Sequence, residues 1–190
     1  MTELYILRHG NTFNKGDAVR RIGARTDMPL SASGVMQATR TAGHFEKLGV
    51  AFEHVVSSPL ERAMMTADIV AAGVFAEPLP FLTEIDYGPD EGQPEEAVVA
   101  RIGEEALKNW DENAVPPSGW IVDPAGLAAE WKAFFAECAG LEGPILAVTS
   151  NGIARFALDA ADKVSGDFPR KLSTCAWGRV LIDADGRAEI

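Results

Sequence analysis

The amino-acid sequence predicts an α/β fold, a three-layer sandwich whose mostly parallel central sheet carries helices on both faces and a small helical cap. Short apolar runs alternate along the chain with stretches in which apolar residues recur at helical spacing. The 190 residues are 47% apolar, enough for one domain with a sizeable core. Helical pattern alone fills the segment from about residue 93 to 143, which is too short for a second domain. We therefore expect residues 1–190 to form a single domain with a cap insertion at about 93–143.

The first half of the chain contains three predicted strands and two predicted helices. In order, they are a strand in the run L-Y-I-L-R-H-G at 4–10, a helix from 31 to 49, a strand at 53–57, a helix opened by Ser58-Pro59, and a strand at 79–84. Ser31 and Ser58 have side chains suited to helix N-caps, and Pro59 suits a first helical position. Gly49 is a typical helix stop. This alternation favours a sheet of mainly parallel strands.

The second half adds the cap and completes the sheet. Helical patterns near 95–111 and 124–139 are separated by V-P-P-S-G at 115–119, a strong breaker. The run from Ile145 to Val148 is typical of a central strand. Apolar residues of a last long helix are Ile153, Phe156, Ala157 and Ala160, and a final strand region follows at 172–183.

The overall charge limits the kinds of partner. The net charge is −11, which argues against nucleic acid or an anionic membrane surface, because both attract basic proteins. The sequence has neither the roughly 18-residue apolar run of a transmembrane helix nor the features of a signal peptide. Cys138 and Cys175 fit no metal or redox spacing. We expect a cytoplasmic protein, and these features leave a homodimer open.

One segment departs from the acidic average. Lys15, Arg20, Arg21 and Arg25 cluster just after the first predicted strand. Beside a pocket at a strand end, such a cluster indicates an anionic small ligand. A solvated loop with incidental charge explains it equally well, and the sequence alone does not separate the two.

The strand end at Arg8, His9 and Gly10 carries the first chemical signal. In an α/β fold, ligands bind at the carboxyl ends of the strands, so Arg8 and His9 should face a pocket. Gly10 lets the chain turn there without a side chain in the way. A neutral imidazole can act as a nucleophile, and a guanidinium holds an anion by forked hydrogen bonds. The pair indicates attack on a phosphoryl group, although a purely structural Arg-His pair fits this segment as well.

Two further segments point to the same chemistry. Arg62 falls in the first turn of a predicted helix, where its charge opposes the helix dipole unless an anion lies between them. Glu84 is predicted to end a strand at the same sheet edge as His9. A carboxyl with a raised pKa could protonate the leaving group and then activate water. Asp86 is the competing candidate for this role.

Four ordered motifs together resemble the histidine phosphatase superfamily, also called the phosphoglycerate mutase-like family. They are Arg8-His9-Gly10-Asn11-Thr12, then Pro29-Leu30-Ser31 with Gly34, Gln37 and Ala38, then Ser58-Pro59-Leu60-x-Arg62-Ala63-x-x-Thr66-Ala67, and finally Glu84-Ile85-Asp86-Tyr87-Gly88. The likeness covers residues 3–92 closely and 145–156 more loosely. Four motifs in the right order make it specific.

The resemblance implies a phosphohistidine on His9, with Glu84 rather than Asp86 as the acid/base. Arg8 and Arg62 would neutralise the phosphoryl oxygens, so that no metal and no cofactor are needed. Asn14 is implied as the phosphate-pocket asparagine, one position earlier than the family's usual spacing. The substrate would be a phosphorylated small molecule.

The main departure from the family pattern is at residue 151. Members typically have a second histidine in a Thr/Ser-His-Gly segment, and this chain reads Thr149-Ser150-Asn151-Gly152. The Asn151 amide can donate a hydrogen bond to a phosphoryl oxygen but cannot carry charge. By analogy with the loss of one oxyanion donor, we expect a penalty of about 10²-fold in rate.

Three functions follow from these observations. The first is a phosphatase that hydrolyses small phosphomonoesters through His9. The second is a catalytically impaired relative that binds a phosphorylated ligand or protein, motivated by Asn151. The third is a phosphomutase, which the short cap disfavours because a mutase must hold two phosphates and keep water out.

Overall fold

The six strands form a single mixed sheet in the order β3-β2-β4-β1-β5-β6. The structure, a computed structural model, describes residues 1–190. The strands are β1 (Thr2–Arg8), β2 (His54–Ser57), β3 (Ala76–Pro78), β4 (Ile145–Thr149), β5 (Trp177–Ile182) and β6 (Ala188–Glu189). The pairs β1–β4, β2–β4 and β2–β3 are parallel, whereas the pairs β1–β5 and β5–β6 are antiparallel. The predicted α/β class with a mainly parallel sheet is confirmed.

Helices cover both faces of this sheet. They are α1 (Ala32–Leu48), α2 (Glu61–Val70), α3 (Glu95–Ile102), α4 (Glu104–Asn113), α5 (Pro124–Cys138), α6 (Asn151–Ala154) and α7 (Ala157–Ala160). One buried cluster joins α1 and α2 to the sheet, and the other joins α5, α6, α7 and the cap helices α3 and α4 to the opposite face. None of these helices is long and apolar enough to cross a membrane.

Alternation along the central strands explains the two clusters. In β1, Leu4 and Ile6 pack into one cluster while Tyr5 and Leu7 pack into the other. Every residue of β4 is buried, since this strand lies between β2 and β1 with helices on both sides. An uninterrupted apolar run is the expected sequence of such a strand.

Strand register places the carboxyl ends of β1, β2 and β4 together. Arg8 is opposite Thr149, and Ser57 is opposite Val148. The chain segments that follow these strands therefore leave the sheet at the same edge. The antiparallel strand β5 begins at this edge too, because Trp177 is opposite Leu7.

Helix caps follow the sequence prediction in α1 but not in α2. Ser31 caps α1 by accepting the Gly34 N–H at 3.2 Å, and Gly49 ends it in the left-handed conformation with φ 71°. The predicted Ser58 cap and Pro59 start of α2 are wrong, since α2 begins at Glu61. Ser58 Oγ accepts the Leu60 N–H at 3.3 Å, one step before the helix. The Glu61 N–H is satisfied instead by Asp27 Oδ1 at 2.8 Å, a tertiary contact invisible in the local sequence.

The predicted strand at 79–84 is also wrong. The third strand lies earlier, at Ala76–Pro78, and a 3₁₀ turn at Pro80–Leu82 follows it. Pro78 and Pro80 supply no N–H groups, so pairing with β2 ends at the Leu79 N–H, which donates to Ser57 O at 2.8 Å. Glu84 therefore lies in the loop beyond the sheet and not at a strand end.

Three other boundaries differ from the prediction. The helix expected near 95–111 is split at Gly103, whose φ is 83°. The last long helix is instead two four-residue helices, α6 and α7, and the Phe156 N–H between them makes an i→i−3 bond to Ile153 O. The final strand region at 172–183 begins only at Trp177, and the short strand β6 follows it.

Candidate active site

A cavity of about 680 Å³ opens at the edge where the parallel strands end. Its lining includes five of the six site residues expected from the sequence: Arg8, His9, Asn14, Glu84 and Asn151. The sixth, Arg62, is fully buried and does not reach the cavity wall. Segments far apart in the chain thus meet at one site.

The ring of His9 is held in one tautomer. Its Nδ1 atom lies 2.8 Å from Gly10 O. A carbonyl oxygen only accepts, so Nδ1 must carry the hydrogen and Nε2 keeps its lone pair. Burial, together with the positive charges of Arg62 and Arg8, lowers the pKa of His9 to about 3. The imidazole is therefore neutral at physiological pH, as a nitrogen nucleophile must be.

Gly10 is required for space rather than for a special turn. Its φ is not positive, so the predicted role, a turn with no side chain in the way, depends on the missing Cβ atom alone. A Cβ atom at residue 10 would lie 2.7 Å from Gly34 O, because the first turn of α1 packs directly against this segment. The Gly10 N–H also donates to Thr66 Oγ1 at 3.1 Å, which links the His9 segment to α2.

Arg8 presents an incompletely satisfied guanidinium at the cavity. Its Nη1 donates to Leu172 O at 2.5 Å, while its buried Nε has no partner. Burial lowers the pKa of Arg8, but an arginine stays protonated in proteins. Its unused donors are free for an anion.

Arg62 is a buried positive charge without an ion pair. It is 0% exposed, and its Nη1 and Nη2 donate to Thr26 O at 2.8 Å and Gly23 O at 3.2 Å. Its Nε has no partner. A buried charge that meets only neutral carbonyls is costly unless a counter-ion arrives. Its positive charge helps to lower the pKa of His9.

Glu84 is a buried carboxyl whose pKa lies above its ordinary value. Burial raises its pKa, although the Ile85 N–H and the charges of Arg62 and Arg8 act in the opposite direction. Its Oε1 accepts the Ile85 N–H at 2.9 Å, and its Oε2 lies 3.4 Å from the Gly152 nitrogen. These contacts fix the carboxyl at the cavity wall. A carboxyl that keeps its proton there can act as a general acid.

Gly152 leaves the space that Glu84 occupies. A Cβ atom at residue 152 would lie 2.0 Å from Glu84 Oε1. We therefore expect Gly152→Ala to displace the carboxyl and to lower any turnover by about 10²-fold, since misplaced catalytic groups cost this much. Steady-state kinetics with an aryl phosphate measure the effect. Gly43→Ala, a helical glycine whose Cβ would meet nothing within 4 Å, is the control and should keep full turnover. Equal turnover of the two variants would contradict the prediction.

Asn151 has a fixed amide orientation. Its Oδ1 accepts the Leu172 N–H at 2.7 Å. Because an N–H only donates, the oxygen must face Leu172, and Nδ2 remains without a partner in the protein. Asn151 lines the cavity, so this NH₂ group is available to an anion bound beside His9.

The basic segment separates into two parts. Lys15, Arg20 and Arg21 line the cavity, and Arg21 is paired with Glu95 at 2.6 Å. Arg25 lies outside it and pairs with Asp86. Asn14 is also at the wall, with its Oδ1 accepting the Ser33 N–H at 3.3 Å.

The cap is fixed by a buried carboxylate that the family resemblance does not predict. Asp90 accepts from Arg101 Nε at 2.6 Å and from Trp120 Nε1 at 2.6 Å. Burial alone would raise the pKa of Asp90, but these hydrogen bonds outweigh it and lower the pKa. The Trp120 ring packs edge-on against Tyr87 and Trp110, both at the cavity wall. Asp90 therefore holds the aromatic side of the cavity in place.

The charges of the inner site favour a phosphoryl group. Arg8 and Arg62 are positive and form no ion pair, while His9 is neutral and burial raises the pKa of the Glu84 carboxyl. A phosphate ester, with a charge of about −1.5 to −2 at neutral pH, would balance the two cations.

Comparison with known proteins agrees with this geometry. The family model described as "Histidine phosphatase superfamily (branch 1)" matches residues 4–189. The chain belongs to this superfamily. The match spans both the His9 segment and the Asn151 segment, and the superfamily includes phosphatases and phosphoglycerate mutases.

Curated relatives match this chain over different lengths. The "probable phosphoglycerate mutase GpmB" of Enterobacter sp. is 32% identical over 159 residues, which are 81% of this chain and 71% of that protein. The protein of the same name from Proteus mirabilis is 37% identical over 90 residues, or 46% of this chain and only 40% of its own length.

Solved structures share the fold across the whole chain. A mycobacterial glucosyl-3-phosphoglycerate phosphatase superposes with a TM-score of 0.78 at 22% identity, over 99% of this chain and 96% of that one. A phosphoglycerate mutase from Bacillus anthracis gives 0.79 at 22% identity, over 98% and 90%. These identities establish the fold alone.

Sequence reasoning missed Leu172. Its contacts to Arg8 and Asn151 use only main-chain atoms, so its side-chain type gives no signal. Its place ahead of an antiparallel strand beside β1 is the only clue, and it requires the sheet order to be known.

Proposed function

We propose that this protein is a phosphatase that hydrolyses small phosphomonoesters through a phosphohistidine on His9. The single observation that carries the proposal is the state of the His9 ring. Its Nδ1 donates to Gly10 O, so Nε2 keeps its lone pair, and the positive charges of Arg8 and Arg62, whose Nε atoms have no partner, act on the ring. Membership of the superfamily supports the same chemistry.

In the first step, the Nε2 lone pair of His9 attacks phosphorus, and the bond from phosphorus to the ester oxygen breaks. Glu84 gives its proton to the departing oxygen, so the alcohol leaves neutral. Arg8 and the Asn151 amide donate to the phosphoryl oxygens, with Asn14 at the outer side, and the buried charge of Arg62 stabilises the same oxygens electrostatically from behind the cavity wall. Such fixed donors supply most of the catalysis in phosphoryl transfer.

In the second step, water attacks the phosphohistidine. Glu84, now a carboxylate, takes a proton from the water, and the bond between phosphorus and Nε2 breaks. Inorganic phosphate leaves, the His9 lone pair is restored and Glu84 is protonated again. One carboxyl therefore serves as acid and then as base.

A panel of phosphate esters tests the proposal. It should contain an aryl phosphate, phosphoserine and phosphoglycerates, assayed for released phosphate at mildly acidic to neutral pH. We expect slow hydrolysis of the aryl phosphate and faster hydrolysis of one small phosphomonoester. Phosphoryl transfer to a second phosphoglycerate without phosphate release would favour the mutase alternative. No turnover of any ester would contradict the phosphatase proposal.

Asn151 motivates the second candidate, an impaired relative that binds phosphorylated ligands without turnover. The contact with Leu172 argues against impairment by a missing charge. The Leu172 N–H requires an acceptor at this position, so a histidine here would turn an unprotonated nitrogen toward it and stay neutral. Asn151 already supplies an acceptor for this N–H through Oδ1, and its Nδ2 is a donor that extends about as far as the ring nitrogen of a histidine would.

This leads to a prediction for Asn151→His. Because the new imidazole should remain neutral, we expect kcat/KM for the aryl phosphate to rise less than about 10-fold, well below the effect of a full charge. Asn151→Asp, an isosteric control that puts a negative charge beside the phosphate, should lose almost all turnover. A gain of 100-fold or more in Asn151→His would show that the natural site lacks a positive charge and would favour the impaired candidate.

A further inference from the structure

The loop between α7 and β5 contacts two phosphate-binding side chains through one residue. Leu172 donates its N–H to Asn151 Oδ1 at 2.7 Å and accepts at its carbonyl from Arg8 Nη1 at 2.5 Å. Both main-chain groups of Leu172 are thus used by the site. A shift of this peptide segment would turn both side chains away from their present directions.

Regular structure does not hold Leu172 in place. From residue 166 to 174 the chain is in neither helix nor strand, and no main-chain N–H in this stretch bonds to another main-chain group. Side-chain contacts must therefore fix the loop. Thr174 Oγ1 accepts from Gln37 Nε2 at 3.1 Å, and the Leu172 side chain packs against the buried core. Two further contacts are ion pairs next to Leu172, one from Arg170 and one from Lys171.

Arg170 makes the stronger of the two anchors. Its Nη1 and Nη2 donate to both oxygens of Asp159 in α7 at 2.7 and 2.6 Å, a forked geometry. Its Nη1 also donates to Arg155 O at 3.2 Å. The Lys171–Asp111 pair, at 2.5 Å, is a single contact of a lysine side chain that is 58% exposed, and exposed pairs contribute little.

These contacts close a ring around Asn151. Arg170 binds the carbonyl of Arg155, and Arg155 Nε donates to the carbonyl of Asn151 at 3.1 Å. Asn151 Oδ1 then accepts from Leu172, two residues beyond Arg170. Asn151 is thereby held at its main chain and at its side chain by one connected network.

We propose that Arg170 is a positioning residue, which fixes the main chain of Leu172 and through it orients Arg8 and Asn151 toward a bound phosphoryl group. The proposal rests on the proposed function, because it assigns phosphate binding to Arg8 and Asn151. Arg170 itself does not line the cavity. Its removal should change anion affinity and the local stability of the loop without removing any group that touches the ligand.

The test compares Arg170→Ala with Lys163→Ala. Lys163 lies in the same connection and forms an exposed ion pair with Glu189 at 2.5 Å, but has no contact with the ring. The readouts are the Kd of inorganic orthovanadate, the hydrogen-exchange rate of the Leu172 amide and the Tm. Arg170→Ala should weaken orthovanadate binding by about 10-fold and speed exchange at Leu172. Lys163→Ala should match the wild type in both.

A second pair of variants separates positioning from general damage. Arg170→Lys keeps the charge but loses the fork, so we expect an intermediate Kd. Asp159→Asn weakens the same anchor from the other side and should shift the Kd in the same direction as Arg170→Ala. Wild-type affinity in Arg170→Ala, or unchanged exchange at Leu172, would overturn the positioning role alone. Failure of the wild-type protein to bind orthovanadate would overturn the proposed function and the positioning role with it.

Discussion

Replacing His9 with alanine is expected to lower hydrolysis of an aryl phosphate by at least about 10⁴-fold, the scale on which loss of a catalytic nucleophile acts. No other imidazole lies at the cavity wall, because His44 is in α1 and His54 begins β2. The arginines would still bind phosphate, so orthovanadate affinity should fall far less than turnover. Steady-state kinetics and vanadate titration measure the two effects.

His44→Ala is the matched control for this substitution. His44 is exposed and its ring lies near Phe45 and Trp177, 6.4 and 6.0 Å between ring centroids, on the face of the sheet covered by α1. We expect wild-type turnover from this variant. If His9→Ala retained the turnover of His44→Ala, His9 would not be the nucleophile.

The second large effect is expected for Glu84→Gln. General acid–base catalysis contributes about 10²–10⁴-fold, and the amide can neither give nor take the proton. The loss in the first step should be greater for an alkyl phosphate than for an aryl phosphate, since a phenolate leaves without protonation. With the aryl phosphate, the second step becomes limiting, and phosphohistidine should accumulate. Asp86→Asn is the control, because Asp86 pairs with Arg25 outside the cavity and should not affect chemistry.

The pH dependence follows from the two shifted groups. Burial raises the pKa of Glu84, so the proton needed for the first step is held above the ordinary carboxyl range and lost as pH rises further. Wild-type kcat/KM for an alkyl phosphate should therefore fall with rising pH through the pKa of Glu84, and Glu84→Gln should lack this limb. The pKa of His9 is about 3, so protonation of the nucleophile should limit activity only near or below that pH. An acid limb near pH 6.5 that His9 controls would contradict this assignment.

The structure brings five of the six predicted site residues to one cavity, although several of the local elements that carry them differ from the prediction. Arg8 and His9 follow a short apolar run, and the parallel register then brings them to the edge where Asn151 begins α6. Glu84 reaches the same cavity from a loop, although a strand was expected there. Pro78 and Pro80 cause this difference. The strand was predicted from the spacing of apolar residues, which takes no account of prolines.

Other features depend on tertiary contacts that no local pattern encodes. Arg62 was expected from its motif, but its complete burial beneath the carbonyls of Gly23 and Thr26 was not. Asp90 carries no signal in the sequence motifs, and only the structure explains it, through its bonds to Arg101 and Trp120. In each case the partner is distant in sequence and is chosen by packing.

The substitution at residue 151 illustrates the same limit. From the sequence, asparagine at this position implies only the loss of a charge. The Leu172 N–H adds a requirement for an acceptor that both asparagine and a neutral histidine meet. The activity of Asn151→His therefore tests whether asparagine at this position lowers the rate by the expected factor of about 10².

Covalent labelling of His9 tests the central claim most directly. Glu84→Gln is incubated with an aryl phosphate, quenched in alkali and digested, and the peptides are analysed by mass spectrometry before and after mild acid. We predict one phosphoryl group on His9 that acid removes, still present in Glu84→Gln/His44→Ala and absent from Glu84→Gln/His9→Ala. Turnover by the wild type with no acid-labile label on His9 in Glu84→Gln, or a label that persists when His9 is alanine, would contradict the account.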